Sequence, residues 1–203
     1  MFRLSTLLFT AGATLVGQLA KAQSPTLPAA DRLRFSQQQY NHSRTIGLSL
    51  GGYALANMAA SGVAVGQTTG EAHYFHQMNI YWNAVNLGIA GIGLLGLRKQ
   101  HPETETLTDA VQKNRSLQKV LLVNAGLDVV YVAGGLYLNE RGNTHPDQAD
   151  KLHGYGKAVM AQGAFLLAFD ALNYLIARKR GRDLPVRLTS QLPMGVGVTV
   201  SIR

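Results

Sequence analysis

The chain has no cysteine, which removes disulfides, thiolate metal sites, haem attachment and cysteine nucleophiles together. Charge is missing where the chain is most apolar. Thr45 to Gly70 and Ala72 to Leu97 contain no Asp, Glu, Lys or Arg, and Leu117 to Leu138 and Tyr155 to Ala177 each hold one internal Asp. There is no phosphate-binding Gly-rich loop with Lys-Ser/Thr and no His-Glu-x-x-His, and no serine-hydrolase elbow is expected, so the chain is read as a non-enzyme. The 19 Lys and Arg exceed the 11 Asp and Glu, but they flank apolar runs and form no nucleic-acid motif. Anionic lipid headgroups near Arg178, Lys179, Arg180 and Arg182 are the simpler partners.

A helix needs about 20 mostly apolar residues to cross the hydrocarbon layer. Four stretches meet that length, near 45–66, 77–97, 117–138 and 155–177. The expected fold is all-α: a four-helix antiparallel transmembrane bundle over 23–182, with a basic, strand-prone tail over 183–203. The competing reading is a soluble helical bundle, but uncharged runs of this length are rare in amphipathic soluble helices.

Ahead of the bundle, Met1 to Arg3 is a short basic start, Leu4 to Gly17 an apolar core and Ala20-Lys21-Ala22 a run suited to signal peptidase. Residues 1–22 are therefore expected to be an export signal removed before Gln23, with an uncleaved anchor as the alternative. A Pro-containing linker, Ser24 to Pro28, would follow. Helix-start signals stand at Asp31 after Pro28, at Pro102 with Glu103 and Glu105, and at Thr144 with Pro146 and Asp147. In the tail, Val196, Val198, Val200 and Ile202 alternate with smaller or polar residues as a strand does, and Leu192 to Gly195 suits a turn.

Two rules disagree on orientation. Most Lys and Arg lie on the side holding the mature N-terminus and the tail, whereas the other side holds Arg141, Lys151 and Lys157. The positive-inside rule puts the first side in the cytoplasm. A cleaved export signal puts it outside.

Polar residues recur inside the apolar runs at helical spacing. Asn79, Asn83 and Asn86 share one face of the second helix, Asn124 and Asp128 one face of the third, Asp170 and Asn173 one face of the fourth, and Tyr53 with Asn57 one face of the first. A carboxylate within a span costs about 2.5–3.5 kcal/mol on the insertion scale, so these faces should turn toward one another. Two readings follow. The groups act as interhelical glue, or Asp128 and Asp170 line a proton or small-ion path. Gly88, Gly91, Gly93 and Gly96 in the second helix, Gly134 with Gly135 in the third, and the pairs Gly47/Gly51 and Gly62/Gly66 are expected to admit close helix packing. Tyr74, Tyr81 and Trp82 are placed as interfacial anchors.

Four histidines, His73, His76, His145 and His153, fall in the two connections on one side of such a bundle, beside Glu71, Glu140, Asp147 and Asp150. Nitrogen with carboxylate ligands would suit a divalent transition metal. Solvated connections without metal are the plainer alternative, and no other cofactor is implied.

The run YFHQMNIYWNAVNLGIAG from Tyr74 to Gly91, with Asn57 in span one and Asp170 in span four, resembles an uncharacterised family of small bacterial membrane proteins that carry an export signal. The resemblance implies the four-helix form and no activity. The leading functional expectation is a structural or interaction component of the bacterial envelope in the inner membrane, open to homo-oligomer formation. A small transporter or ion pathway through Asp128 and Asp170 is the alternative, and metal binding the second.

Overall fold

The computed structural model describes residues 23–184, 186–191 and 197–202. The expected export signal and the turn at Leu192 to Gly195 lie outside the described residues. Strand β1 (Gln23–Thr26) precedes helices α1 (Ala29–Val65), α2 (Gly70–Leu97) and α3 (Leu107–Thr144); a single 3-10 turn at Pro146–Gln148 then leads into α4 (Ala149–Arg182), followed by β2 (Val186–Gln191) and β3 (Gly197–Ile202). All four helices are long and apolar enough to cross a membrane.

Local chemistry sets the ends of these helices. Pro28 caps α1 with φ at −50°, close to the fixed value that suits the first turn. Gly70 opens α2 at φ +60°, a left-handed conformation that costs glycine nothing and most other residues a Cβ clash. The start of α3 is at Leu107 rather than Pro102, because Thr106 supplies the cap: its Oγ1 accepts from the Asp109 N–H at 3.2 Å.

The helices form an antiparallel bundle in which α3 lies closest to α4, α4 also packs on α2, and α2 packs on α1. The α1–α3 seam is made mainly at one end of the bundle. There Arg32 Nη1 donates to Glu105 O at 3.1 Å, and the Gln39 amide bridges Ala110 O at 2.9 Å and the Asn114 N–H at 3.2 Å.

Glycine sets the closest approach, at Gly47, Gly51 and Gly135 among the positions the sequence indicated and at Gly156 and Gly163, which it did not. A Cβ on Gly156 would lie 2.7 Å from Gly135 O and from Asn139 N, and one on Gly163 would lie 3.1 Å from Asp128 O. Gly47 abuts Leu94, and Gly51 faces Ala90. By contrast, a Cβ on Gly62, Gly88, Gly91, Gly93, Gly96 or Gly134 would meet nothing within 4 Å. The glycine-rich face of α2 is thus no packing surface within the described residues; the small-residue seam is Gly135 of α3 against Gly156 of α4.

The distribution of polarity is inverted relative to a water-soluble bundle. Among the described residues, the largest fully buried side chains are Gln162, Asn83, Asn114 and Ser36, while Ile92, Val85, Val123 and Val130 are each more than 60% exposed. Soluble proteins place amides outside and aliphatic side chains inside. Lipid reverses the arrangement, because hydrocarbon gives polar groups no partner and apolar groups no penalty. The chain is a four-helix membrane protein.

Beyond the bundle the backbone forms a three-stranded antiparallel sheet in the order β1-β2-β3. Gln23 lies opposite Ser190 and Thr26 opposite Arg187; Val186 lies opposite Ile202 and Gln191 opposite Gly197. The segment expected as a linker is an edge strand over Gln23–Thr26, a place where Pro25 is tolerated because an edge needs only one row of ladder bonds.

Candidate functional site

The polar stripes separate into two environments along the bundle axis. In the half nearer the His-bearing connections they form a bonded seam. Tyr53 of α1 donates its hydroxyl to Gln162 Oε1 at 3.1 Å, and Gln162 Nε2 of α4 donates to Asn79 Oδ1 of α2 at 2.7 Å. Asn83 Nδ2 closes back on Asn79 O at 2.8 Å, and Asn86 Nδ2 reaches Asn83 Oδ1 at 3.4 Å. Asn57 spends its amide on Tyr53 O of its own helix. Tyr53 also stacks on Phe165 with ring centres 3.6 Å apart, so this part of the interior is tied across three helices.

In the other half the stripes border a cavity of about 530 Å³. Its polar surface comes from Ser43, Asn86, Asn124, Asp128 and Asp170, and no Lys, Arg or His among the described residues lines it. The walls are aliphatic and aromatic, with Trp82 of α2 meeting Tyr131 of α3 edge-on at 4.7 Å. Asp128 is 3% and Asp170 7% exposed. The Asp128 Oδ2 atom is buried without any hydrogen-bond partner among the described residues, an expensive arrangement for an acid in apolar surroundings. Val85, Ile89, Val120 and Leu127 line the cavity and are also exposed, so its rim opens between α2 and α3 toward the lipid-facing surface. A polar basin of about 630 Å³, bordered by Lys99, His101, Glu105, Asp109 and Lys113, adjoins it and shares Ser43 and Leu117 as walls.

Asn173 belongs to neither environment. Its Oδ1 lies 2.9 Å from His42 Nε2, and its Nδ2 donates to Phe169 O. The other ring nitrogen, His42 Nδ1, is 3.2 Å from Arg180 Nη2. Since a guanidinium only donates, Nδ1 accepts and the proton resides on Nε2. Arg180 also donates from Nε and Nη2 to Asn114 Oδ1 at 3.1 and 2.9 Å and from Nη1 to Gln38 O at 3.2 Å. Asn114 Nδ2 in turn donates to Ala177 O. Burial holds the Arg180 pKa down to about 10; burial lowers that of His42, the hydrogen bond to Asn173 offsets part of this, and the Arg180 charge adds a smaller lowering. Arg180 is therefore a clamp joining α1, α3 and α4 and is not free for headgroups, whereas Arg178, Lys179 and Arg182 stay exposed.

The four connection histidines take separate partners. His73 Nδ1 pairs with Val65 O at 2.9 Å, His76 Nδ1 with Ser61 Oγ at 3.3 Å and His145 Nδ1 with Arg141 O at 3.1 Å. His153 packs on Gly142 and lies 3.7 Å from Glu71, whose other oxygen accepts from Lys157 at 2.6 Å. Among the described residues, no group of three or more His, Asp or Glu side chains is placed to hold a metal.

One motif was hidden in the letters. Gly47-Leu48-Ser49-Leu50-Gly51 spells Gly-x-Ser-x-Gly, yet it runs inside α1, with Ser49 exposed and both glycines buried against α2. A nucleophile elbow needs a strand-to-helix turn, so this run packs helices. Gln162, Asn114, His42 and Arg180 take part in the polar network without having stood out by spacing. Gln162 alone carried a usable signal, an amide in the apolar run of α4 eight residues before Asp170.

A family model described as a family of unknown function (DUF6992) matches residues 49–171, from within α1 to within α4 and across the whole cavity wall of α2 and α3. No curated protein and no solved structure matches the chain.

Proposed function

We propose that this chain, which belongs to the DUF6992 family of unknown function, is a small inner-membrane transporter of the bacterial envelope whose exchanging groups are Asp128 and Asp170. The supporting observation is the unpartnered Asp128 Oδ2 beside Asp170 in a cavity whose described lining holds no basic residue. Polar groups that served only as glue would be bonded, as the amides of Asn79 and Gln162 are. An intramembrane carboxyl held open to a cavity instead suits reversible uptake of a proton or cation. The polar basin gives the site a neighbour on one side, through Ser43 and Leu117, while the Tyr53–Gln162–Asn79 seam separates it from the opposite side. Turnover then requires that seam to part.

Export by a removed signal and headgroup contact through Arg178, Lys179 and Arg182 complete this reading, and a reporter fused after Arg203 fixes the orientation. The decisive test is ion flux in proteoliposomes under an imposed membrane potential, followed with an internal pH dye. The parent carries a proton current; Asp128→Asn with Asp170→Asn abolishes it while keeping the helical far-UV spectrum. A parent no more conductive than protein-free vesicles, with or without a pH gradient, refutes the transport role and leaves an envelope scaffold.

A further inference from the structure

We infer that the cavity is a binding site for lipophilic amines, entered sideways from the bilayer between α2 and α3. This inference rests on reading Asp128 and Asp170 as the working groups of the bundle, and it names the substrate class they serve.

The chemistry of the lining specifies the ligand. The walls are apolar or aromatic, so the body of a guest must be hydrocarbon or aryl. The volume, about 530 Å³, lies in the range of small-molecule sites. At the floor stand two carboxyls and two amides, with Asp128 Oδ2 buried and unpartnered. Neither α1 nor α2 contributes a titratable group to the lining; α3 supplies Asp128 and Tyr131, and α4 supplies Asp170. An ammonium satisfies this floor best, because it brings the charge that the lining lacks and donates a charge-assisted bond to the orphaned oxygen. Trp82, Tyr131 and Phe169 add aromatic rings to the lining around the same cation. A fatty acid or an anionic headgroup would meet two acids and no compensating base. A neutral lipid tail would fill the walls and leave Oδ2 unpaired. Entry is lateral, since the exposed rim residues Val85, Ile89, Val120 and Leu127 are aliphatic and a lipophilic amine reaches them from the hydrocarbon phase.

Trp82 is the chain's single tryptophan and lines the cavity, so its fluorescence reports occupancy directly. The protein in phosphatidylcholine vesicles is titrated with phenylbutylamine, phenylbutanol and phenylbutyrate at neutral pH. The amine saturably changes Trp82 emission, and the alcohol and carboxylate bind at least about tenfold more weakly, the loss expected when a charge-assisted bond is removed. Asp128→Asn brings the amine down to the level of the alcohol. Gly93→Leu, at a lining position where a Cβ meets nothing within 4 Å, weakens all guests by filling the space.

Equal saturation by amine and alcohol overturns the inference in favour of a neutral-amphiphile site, as does amine binding indifferent to Asp128→Asn, or no saturable change with any compound. The two proposals separate cleanly. Amine saturation without proton flux keeps the site and removes the transport role, whereas Asp-dependent flux without amine saturation removes the site alone.

Discussion

Gln162 of α4 and Asn79 of α2 face each other across the bundle, amide to carbonyl at 2.7 Å, with neither side chain reaching the surface. The bond also sets the far partner, since Gln162 Oε1 is then free to accept from Tyr53. Replacing either amide alone by Leu strands a polar atom in an apolar interior and costs about 1–2 kcal/mol. The double replacement recovers part of that loss. A double-mutant cycle in mixed-micelle unfolding checks it; simple additivity would mean the two residues are not coupled.

Gly156 and Gly135 have no such polar bond, only contact. Gly156→Ala inserts a methyl 2.7 Å from Gly135 O and should destabilise the α3–α4 pair by about 1–3 kcal/mol. Gly88→Ala enters open space and should stay within about 0.5 kcal/mol of the parent. Thermal unfolding of the two variants side by side gives the comparison.

Stability should also depend on pH through His42. Burial and Arg180 lower its folded pKa, so the unfolded chain binds more protons between that lowered value and the ordinary imidazole value of about 6.5. The contribution is therefore present above that ordinary value and lost as pH falls through it toward the folded one. His42→Gln should flatten the slope of unfolding midpoint against pH in this window.

Arg180 offers a contrast within one basic cluster. Arg180→Gln removes bonds to Asn114, Gln38 and His42 and should cost about 1–3 kcal/mol. Arg178→Gln with Lys179→Gln leaves folding within about 0.5 kcal/mol but weakens the preference of the reconstituted protein for anionic over zwitterionic lipid, measured by the quenching of its tryptophan by brominated lipids of each kind.

Much of this bundle is legible in the sequence. The two uncharged runs and the two runs with a single Asp are α1 to α4, because an apolar run as long as a bilayer is thick suits hydrocarbon and little else. The face carrying Asn79, Asn83 and Asn86 is visible for the same kind of reason: a period of three to four residues fixes which side chains share a side. Which partner each finds is not visible. Asn79 pairs with Gln162 and Asn173 with His42, and sequence spacing says nothing about contacts between helices. Glycine misleads in the same way. The abundant glycines of α2 look outward, while Gly154, Gly156 and Gly163, which no spacing singles out, seat α4 against its neighbours. Proline at position 102 is a weaker start signal than the threonine cap at 106, whose hydroxyl satisfies a backbone donor.

The three-stranded sheet carries a consequence for biogenesis. Strand β1 precedes the first helix, and its hydrogen-bonding neighbour β2 follows the last. A ribosome delivers the earlier half of that pair long before the later one, and closure of so distant a contact is slow. Strand β1 therefore waits unpaired until all four helices have been inserted, and its docking marks the completion of the membrane domain.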